Sequence, residues 1–214
     1  NHMPSNKTTG AFISWWKKRA VDWPKDYGSR EAMMHPHRKV ILEELSKLKF
    51  RSLCEVGCGA GANLALIRSV WPKVQVGGAD VVPGAIDAAN KLVPGAIFDV
   101  RPAHDLFFSD KSCDVVLTDA CLIYVDPLMI KKTLLELRRV ARGHIVLCEF
   151  HHKNFLARLG LWLASGYFSY NYRKLLESLD FYDIKVRKLT PTDWSCPDWR
   201  VYGNVITASI PIHG

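Results

Sequence analysis

The chain has 214 residues, 48% hydrophobic and 23% charged, which suits one globular domain with a full core and leaves no room for two. No stretch reaches the ~18 to 20 uninterrupted apolar residues of a spanning helix, and the start lacks the charged-then-apolar pattern of a secretion signal, so a cytoplasmic protein with no membrane partner is expected. The six cysteines, Cys54, Cys58, Cys113, Cys121, Cys148 and Cys196, form no Cys-x-x-Cys pair and read as reduced core residues, so no metal is expected.

The net charge of +8 is uneven: up to Arg51 there are 11 Lys or Arg against 5 Asp or Glu, and in the remainder 18 against 16. Asn1-His2-Met3 reads as a cloning scar, followed by a loose polar stretch to Gly10. The next forty residues hold Trp15, Trp16, Trp23, Tyr27 and a helical pattern over 37–48. They are too few for a second domain and are assigned, as 1–50, to a tag remnant and an N-terminal helical cap over the carboxyl ends of the strands. His35-Pro36-His37 could be a pair of metal ligands, but the proline more simply starts a helix.

From residue 51 to 214, short β-branched runs bounded by glycine alternate with segments of helical period, the pattern of a parallel sheet covered by helices. Strands are predicted over 52–56, 74–79, 96–98, 114–118 and 144–149. The first runs into Gly57-Cys58-Gly59-Ala60-Gly61 and then a helix over 62–70, while Asp80 ends the second. A glycine turn with a carboxylate about 20 residues on fits a nicotinamide dinucleotide as well as S-adenosylmethionine. Glu55 decides for the second: an acid beside the turn repels a pyrophosphate but attracts an ammonium and a sulfonium. Gly77-Gly78 inside the second strand predicts a bulge or a close backbone contact.

Farther on, Asp126 and Pro127 start a helix with a stripe of Leu134, Leu137 and Val140, expected to end at Gly143. An aromatic stretch over 155–170 follows, then a helical pattern to Leu179 and strands over 182–189 and 201–210, read as an antiparallel pair at a sheet edge. The predicted fold is a three-layer α/β, Rossmann-like, seven-stranded sheet, mostly parallel with an antiparallel final edge strand.

Glu55-x-Gly57-x-Gly59-x-Gly61, Asp80 followed by Val81-Val82-Pro83, and Asp99 followed by Asp105-Leu106 resemble class I S-adenosylmethionine-dependent methyltransferases over most of 52–186. The resemblance implies that Glu55, Gly57, Gly59 and Gly61 hold the methionine part of S-adenosylmethionine, and that Asp80 binds the ribose hydroxyls. Val81 then packs on adenine, and Asp99 with the Val100 N–H reads its edge, with plain core packing as the alternative for Val81 and Val100. It also places the acceptor above the fourth strand, where Asp119 is the first candidate proton acceptor or orienting group, with capping of the loop as the alternative. Tyr124 on the same loop and His151 or His152 after the fifth strand are further catalytic candidates; each could instead be structural. Trp15 and Trp16 from the cap, with Trp162 and Tyr170 from the aromatic stretch, are candidate substrate-pocket walls. The function so implied is methyl transfer to nitrogen or oxygen of a small metabolite or peptide. The basic, aromatic cap keeps an RNA methyltransferase as an alternative, and a non-catalytic binding module on the same scaffold is a third.

Overall fold

A computed structural model describes residues 3–211; Asn1 and His2 of the expected scar lie outside the described residues. The chain builds β1 (Ser52–Val56), β2 (Gln75–Asp80), β3 (Ile97–Val100), β4 (Cys113–Asp119), β5 (Ala141–Phe150), β6 (Tyr182–Lys188) and β7 (Gly203–Ser209). They form one sheet in the order β3-β2-β1-β4-β5-β7-β6. All pairs from β3 to β5 are parallel. The final strand β7 runs antiparallel to both of its neighbours, as expected, but inserts between β5 and β6, so that β6 takes the outermost place. A short helix, α10 (Pro197–Tyr202), enters the connection between these strands, where none was expected.

The residues before β1 form α1 (Thr9–Lys18), α2 (Trp23–Asp26), α3 (Arg30–Met33) and α4 (His37–Leu45). The connections between strands carry α5 (Ala62–Val70), α6 (Pro83–Leu92), α7 (Ile130–Val140), α8 (Phe155–Ser165) and α9 (Tyr172–Glu177). Because strand side chains alternate between faces, Val56, Val116 and Leu147 meet Leu134 and Leu137 of α7, together with Phe12 of α1. On the other face Leu53, Val115 and Val146 meet Leu64 and Ile67 of α5 and Val40, Ile41 and Leu45 of α4. The first fifty residues thus contribute to both core layers. Asp126 fastens α1: one carboxylate oxygen accepts from Thr9 N–H at 2.7 Å and Thr9 Oγ1 at 2.6 Å. Its other oxygen accepts from the N–H groups of Leu128 and Met129, opening the turn before α7.

Two local expectations change. Helix α7 ends at Val140, and Gly143 lies inside β5; the register between β4 and β5 slips between Cys113 and Val115, so the glycine belongs to an irregular strand pairing rather than a helix stop. Gly77 and Gly78 keep continuous register with β1, so of the two readings the close backbone contact holds. A Cβ on Gly78 would stand 2.8 Å from the Cys58 side chain, and one on Gly77 would stand 2.8 Å from the Ile97 carbonyl oxygen.

Candidate active site

The carboxyl ends of the central strands and the cap enclose a cavity of about 460 Å³, within the range usual for small-ligand sites. Its floor is the glycine turn. Gly57, Gly59 and Gly61 have φ of +73°, +52° and +82°, and a Cβ on Gly57 would stand 2.5 Å from Cys121 Sγ, so the chain can pass here only without side chains. The N–H groups of Gly57 and Cys58 both donate to the Ala79 carbonyl, at 2.8 and 3.1 Å, which pins the turn to β2.

Five carboxylates line this cavity: Asp26 and Asp198 toward its rim, and Glu55, Asp80 and Asp119 at the strand ends. Glu55 is 2% exposed; Asn63 Nδ2 donates to its Oε1 at 2.6 Å, while Oε2 is buried without a partner. Burial pushes its pKa up to about 8. Asp80 accepts from Gly59 N–H at 2.9 Å and Val82 N–H at 3.0 Å, and burial raises its pKa as well. Asp119 Oδ2 accepts from His37 Nε2 at 2.8 Å, Arg38 Nη1 at 3.1 Å and Asn63 Nδ2 at 3.0 Å. Burial opposes its ionisation, but the charge and hydrogen bond of His37, with Arg38 and Asn63, hold it well below the ordinary carboxylate range.

Asp119 is therefore the anchor on which α4 docks, and its tie continues outward. His37 Nδ1 is hydrogen-bonded to His35 Nδ1, His35 lines the cavity, and the His37 ring stacks on Trp194 at 4.1 Å. His37, Asp119 and Cys148 offer ligand atoms within 4.8 Å of one another. The Arg38 guanidinium and the His37 ring both engage Oδ2 of this carboxylate, while its Oδ1 is buried without a hydrogen-bond partner.

Other expected residues separate clearly. Val81, Tyr124 and Trp16 line the cavity with Trp23, Tyr27 and Tyr167. Tyr124 packs edge-on against Trp16 at 5.5 Å and Tyr167 at 5.6 Å, and burial raises its phenol pKa. Gly61 sits one step back as the N-cap of α5. Asp99 and Val100 do not line the cavity: Asp99 accepts from Val100 N–H and Arg101 Nε at the strand end, and Arg101, Ala103 and His104 form the wall there.

His151 is placed away from the cavity, contrary to its expected catalytic place. It is buried, its Nδ1 accepts from Tyr172 N–H at 3.1 Å, and desolvation lowers its pKa to about 4. A ring whose lone pair is committed to the start of α9 is not a base for a substrate. Tyr170 donates its hydroxyl to the Val125 carbonyl, and both it and Trp162 pack in the core rather than on the cavity. Trp15 supports Trp16, with Arg19 over both rings. Sequence reasoning missed Arg38, Asn63 and Trp194; Asn63, a polar residue between Ala62 and Leu64 at the helix start, was the detectable signal.

Residues 53–144 match a family profile described as a methyltransferase domain. Curated relatives include trans-aconitate 2-methyltransferase of Escherichia coli, 30% identical over 80 residues, covering 34% of this chain and 32% of that protein. The protein of the same description from Afipia carboxidovorans is 24% identical over 104 residues, covering 48% and 38%. The chain thus matches about a third of the length of the curated relatives. Among solved structures, geranyl diphosphate C-methyltransferase of Streptomyces coelicolor superposes with TM-score 0.73 at 12% identity, over 97% of this chain and 100% of the other. Magnesium protoporphyrin IX methyltransferase of Synechocystis gives 0.69 at 14%, over 99% and 100%. The fold is that of the class I, Rossmann-like methyltransferases. The matched segment is similar to methyltransferase domains, and the Synechocystis structure is one with bound S-adenosylmethionine.

Proposed function

We propose that this chain transfers a methyl group from S-adenosylmethionine to nitrogen or oxygen of a small metabolite or peptide enclosed between the cap and the strand ends. The observation that carries this reading is the unpartnered Oε2 of Glu55, buried at the wall of the cavity beside the glycine turn. A buried carboxylate oxygen with no donor is costly, and a ligand ammonium removes that cost in a way a pyrophosphate cannot. Glu55 and the Gly57–Gly59 turn hold the methionine end, Asp80 keeps acceptor capacity for ribose hydroxyls, and Val81 offers an apolar surface to the base. Bound S-adenosylmethionine supplies a methyl group on a sulfonium leaving group, so alignment and exclusion of water are most of what the protein must add.

Trp16, Trp23, Tyr124 and Tyr167 exclude water and shape the acceptor side. A proton leaving the acceptor passes to His35, whose other ring nitrogen bonds His37 and through it the Asp119 carboxylate; Asp119 acts through these rings rather than on the acceptor itself. A small metabolite is favoured over RNA, because Trp15 and Trp16 pack against Tyr124 rather than offering an open stacking platform. The relatives' named substrate, trans-aconitate, is also a small metabolite. Calorimetric titration with S-adenosylmethionine and its demethylated product tests the reading. Micromolar binding that Asp80→Ala weakens ~10-fold or more, about 1.4 kcal/mol, is expected; binding of a nicotinamide dinucleotide in its place would refute it.

A further inference from the structure

The outward face of α8 is wholly apolar. Its exposed positions are Phe155, Leu156, Leu159, Gly160, Leu163 and Ala164, which recur at the spacing of one helical stripe. The four large side chains are 64%, 71%, 38% and 68% exposed. The opposite face is fixed in the fold, with Leu161 buried beside Phe150 and Trp199 and the Ala157 carbonyl accepting from Tyr202 Oη at 3.0 Å. The stripe is therefore a surface of a docked helix and not a loosely packed segment. Contiguous apolar surface of this kind marks an interaction site.

Charge identifies the occupant. From Glu149 to Glu177 the chain has no acidic residue in between, but it has Lys153, Arg158, Arg173 and Lys174. Lys153 is exposed directly before α8. At the other end a Cβ on Gly166 would overlap the Lys7 ammonium, so a second cation sits at the helix C-terminus. An apolar stripe bracketed by cations complements the acyl boundary and headgroups of an anionic phospholipid surface. Its length also fits: eleven residues span about 16 Å, too short to cross a bilayer and suited to lying in its plane. A second copy of the chain is the weaker occupant. A stripe about 16 Å by 10 Å covers about 160 Å², against about 800 Å² per partner in a stable interface.

We infer that α8 docks this protein in the plane of an anionic phospholipid surface, with Phe155, Leu156, Leu159 and Leu163 inserted and Lys7 and Lys153 at the headgroups. This inference is independent of the proposed methyl transfer. Co-sedimentation with vesicles of phosphatidylcholine alone, and of phosphatidylcholine with phosphatidylglycerol, tests it on the full chain. Binding to the mixed vesicles is expected to exceed binding to the neutral ones several-fold. The pair Leu156→Glu and Leu163→Glu is expected to reduce it at least tenfold at unchanged melting temperature. Lys153→Glu, which leaves the apolar stripe intact, is expected to weaken the anionic binding alone. Failure of the wild type to sediment with either vesicle overturns the inference, as does equal binding by the double variant. A wild type that is dimeric in sedimentation velocity, with a monomeric double variant, assigns the face to a second copy and overturns it too.

Discussion

If Glu55 receives the cofactor ammonium as proposed, cofactor binding should be a proton-releasing step. Its pKa in the free protein stands at about 8 because burial disfavours the carboxylate. At pH 7 the side chain is then about 0.9 protonated, at pH 8 about half and at pH 9 about 0.1. An ammonium brought against Oε2 favours the ionised form and drives the bound-state pKa below this range. Binding should therefore release about 0.9 proton at pH 7 and about 0.1 at pH 9, and below pH 8 the dissociation constant should rise about tenfold per pH unit. The assay is calorimetric titration of S-adenosylmethionine in buffers of different ionisation enthalpy at each pH, on wild type and Glu55→Gln. The variant keeps the acceptor for Asn63 but has no proton to lose. Asp80, also shifted upward by burial, remains in both proteins as a common background. The difference between the two should thus approach one proton at pH 7. Equal release by both proteins would show that Glu55 is already ionised, or that it does not face the ammonium, and the cofactor orientation would have to be abandoned.

Glu149 is buried, accepts from Cys121 N–H at 3.0 Å and has its pKa raised to about 8 by burial. A carboxyl whose folded pKa lies above its unfolded value lowers stability as pH climbs from about 4.5 to 8. Glu149→Gln should therefore stabilise the protein by about 1 to 3 kcal/mol at pH 8.5 and little at pH 4.5, read from urea melts. Asp119→Ala removes the carboxylate that Arg38 and His37 share and should cost about 3 to 5 kcal/mol, with limited proteolysis opening first before Ser52; unchanged stability would refute the anchoring role. Gly57→Ala meets both a left-handed φ of +73° and the Cys121 side chain, and should lose about 2 kcal/mol or more together with cofactor affinity. His151→Ala should lower the melting temperature and leave cofactor affinity within about twofold; a large affinity loss at unchanged stability would return His151 to the site.

What the sequence made legible follows the range of the interactions involved. The strand ends, the glycine turn, Glu55 and Asp80 are specified by residues within about 30 positions of each other, so local patterns reveal them. His151 was misplaced for the same reason: its position after β5 is a local fact, but the direction of its ring is set by Tyr172, 21 residues on. Asp119 was read as the first candidate proton acceptor or orienting group; it lines the cavity, but its partners His37 and Arg38 lie 82 and 81 residues earlier. No periodicity announces a pairing at that separation. Trp162 and Tyr170 were expected on the pocket because aromatic rings serve cores and pockets alike, and only the packing of α8, which carries Trp162, and the bond from the Tyr170 hydroxyl to the Val125 carbonyl distinguish the two.

The long-range pairing at Asp119 also explains why the cap belongs to the site rather than merely covering it. A carboxylate this deeply buried stays ionised only while the Arg38 guanidinium and the His37 ring of α4 remain against it, so lifting α4 would strand a charge in a low-dielectric wall. Asn63 carries the same constraint inward, since its amide donates to both Asp119 and Glu55. Enclosure of the cavity, ionisation of Asp119 and orientation of Glu55 are thus one condition held by a single set of hydrogen bonds. A cap held this way opens against the loss of several charge-assisted bonds at once. Helix α3 shares this tie, since Arg38 Nε donates to the Ala32 carbonyl at 2.8 Å, so lifting α4 would release α3 as well.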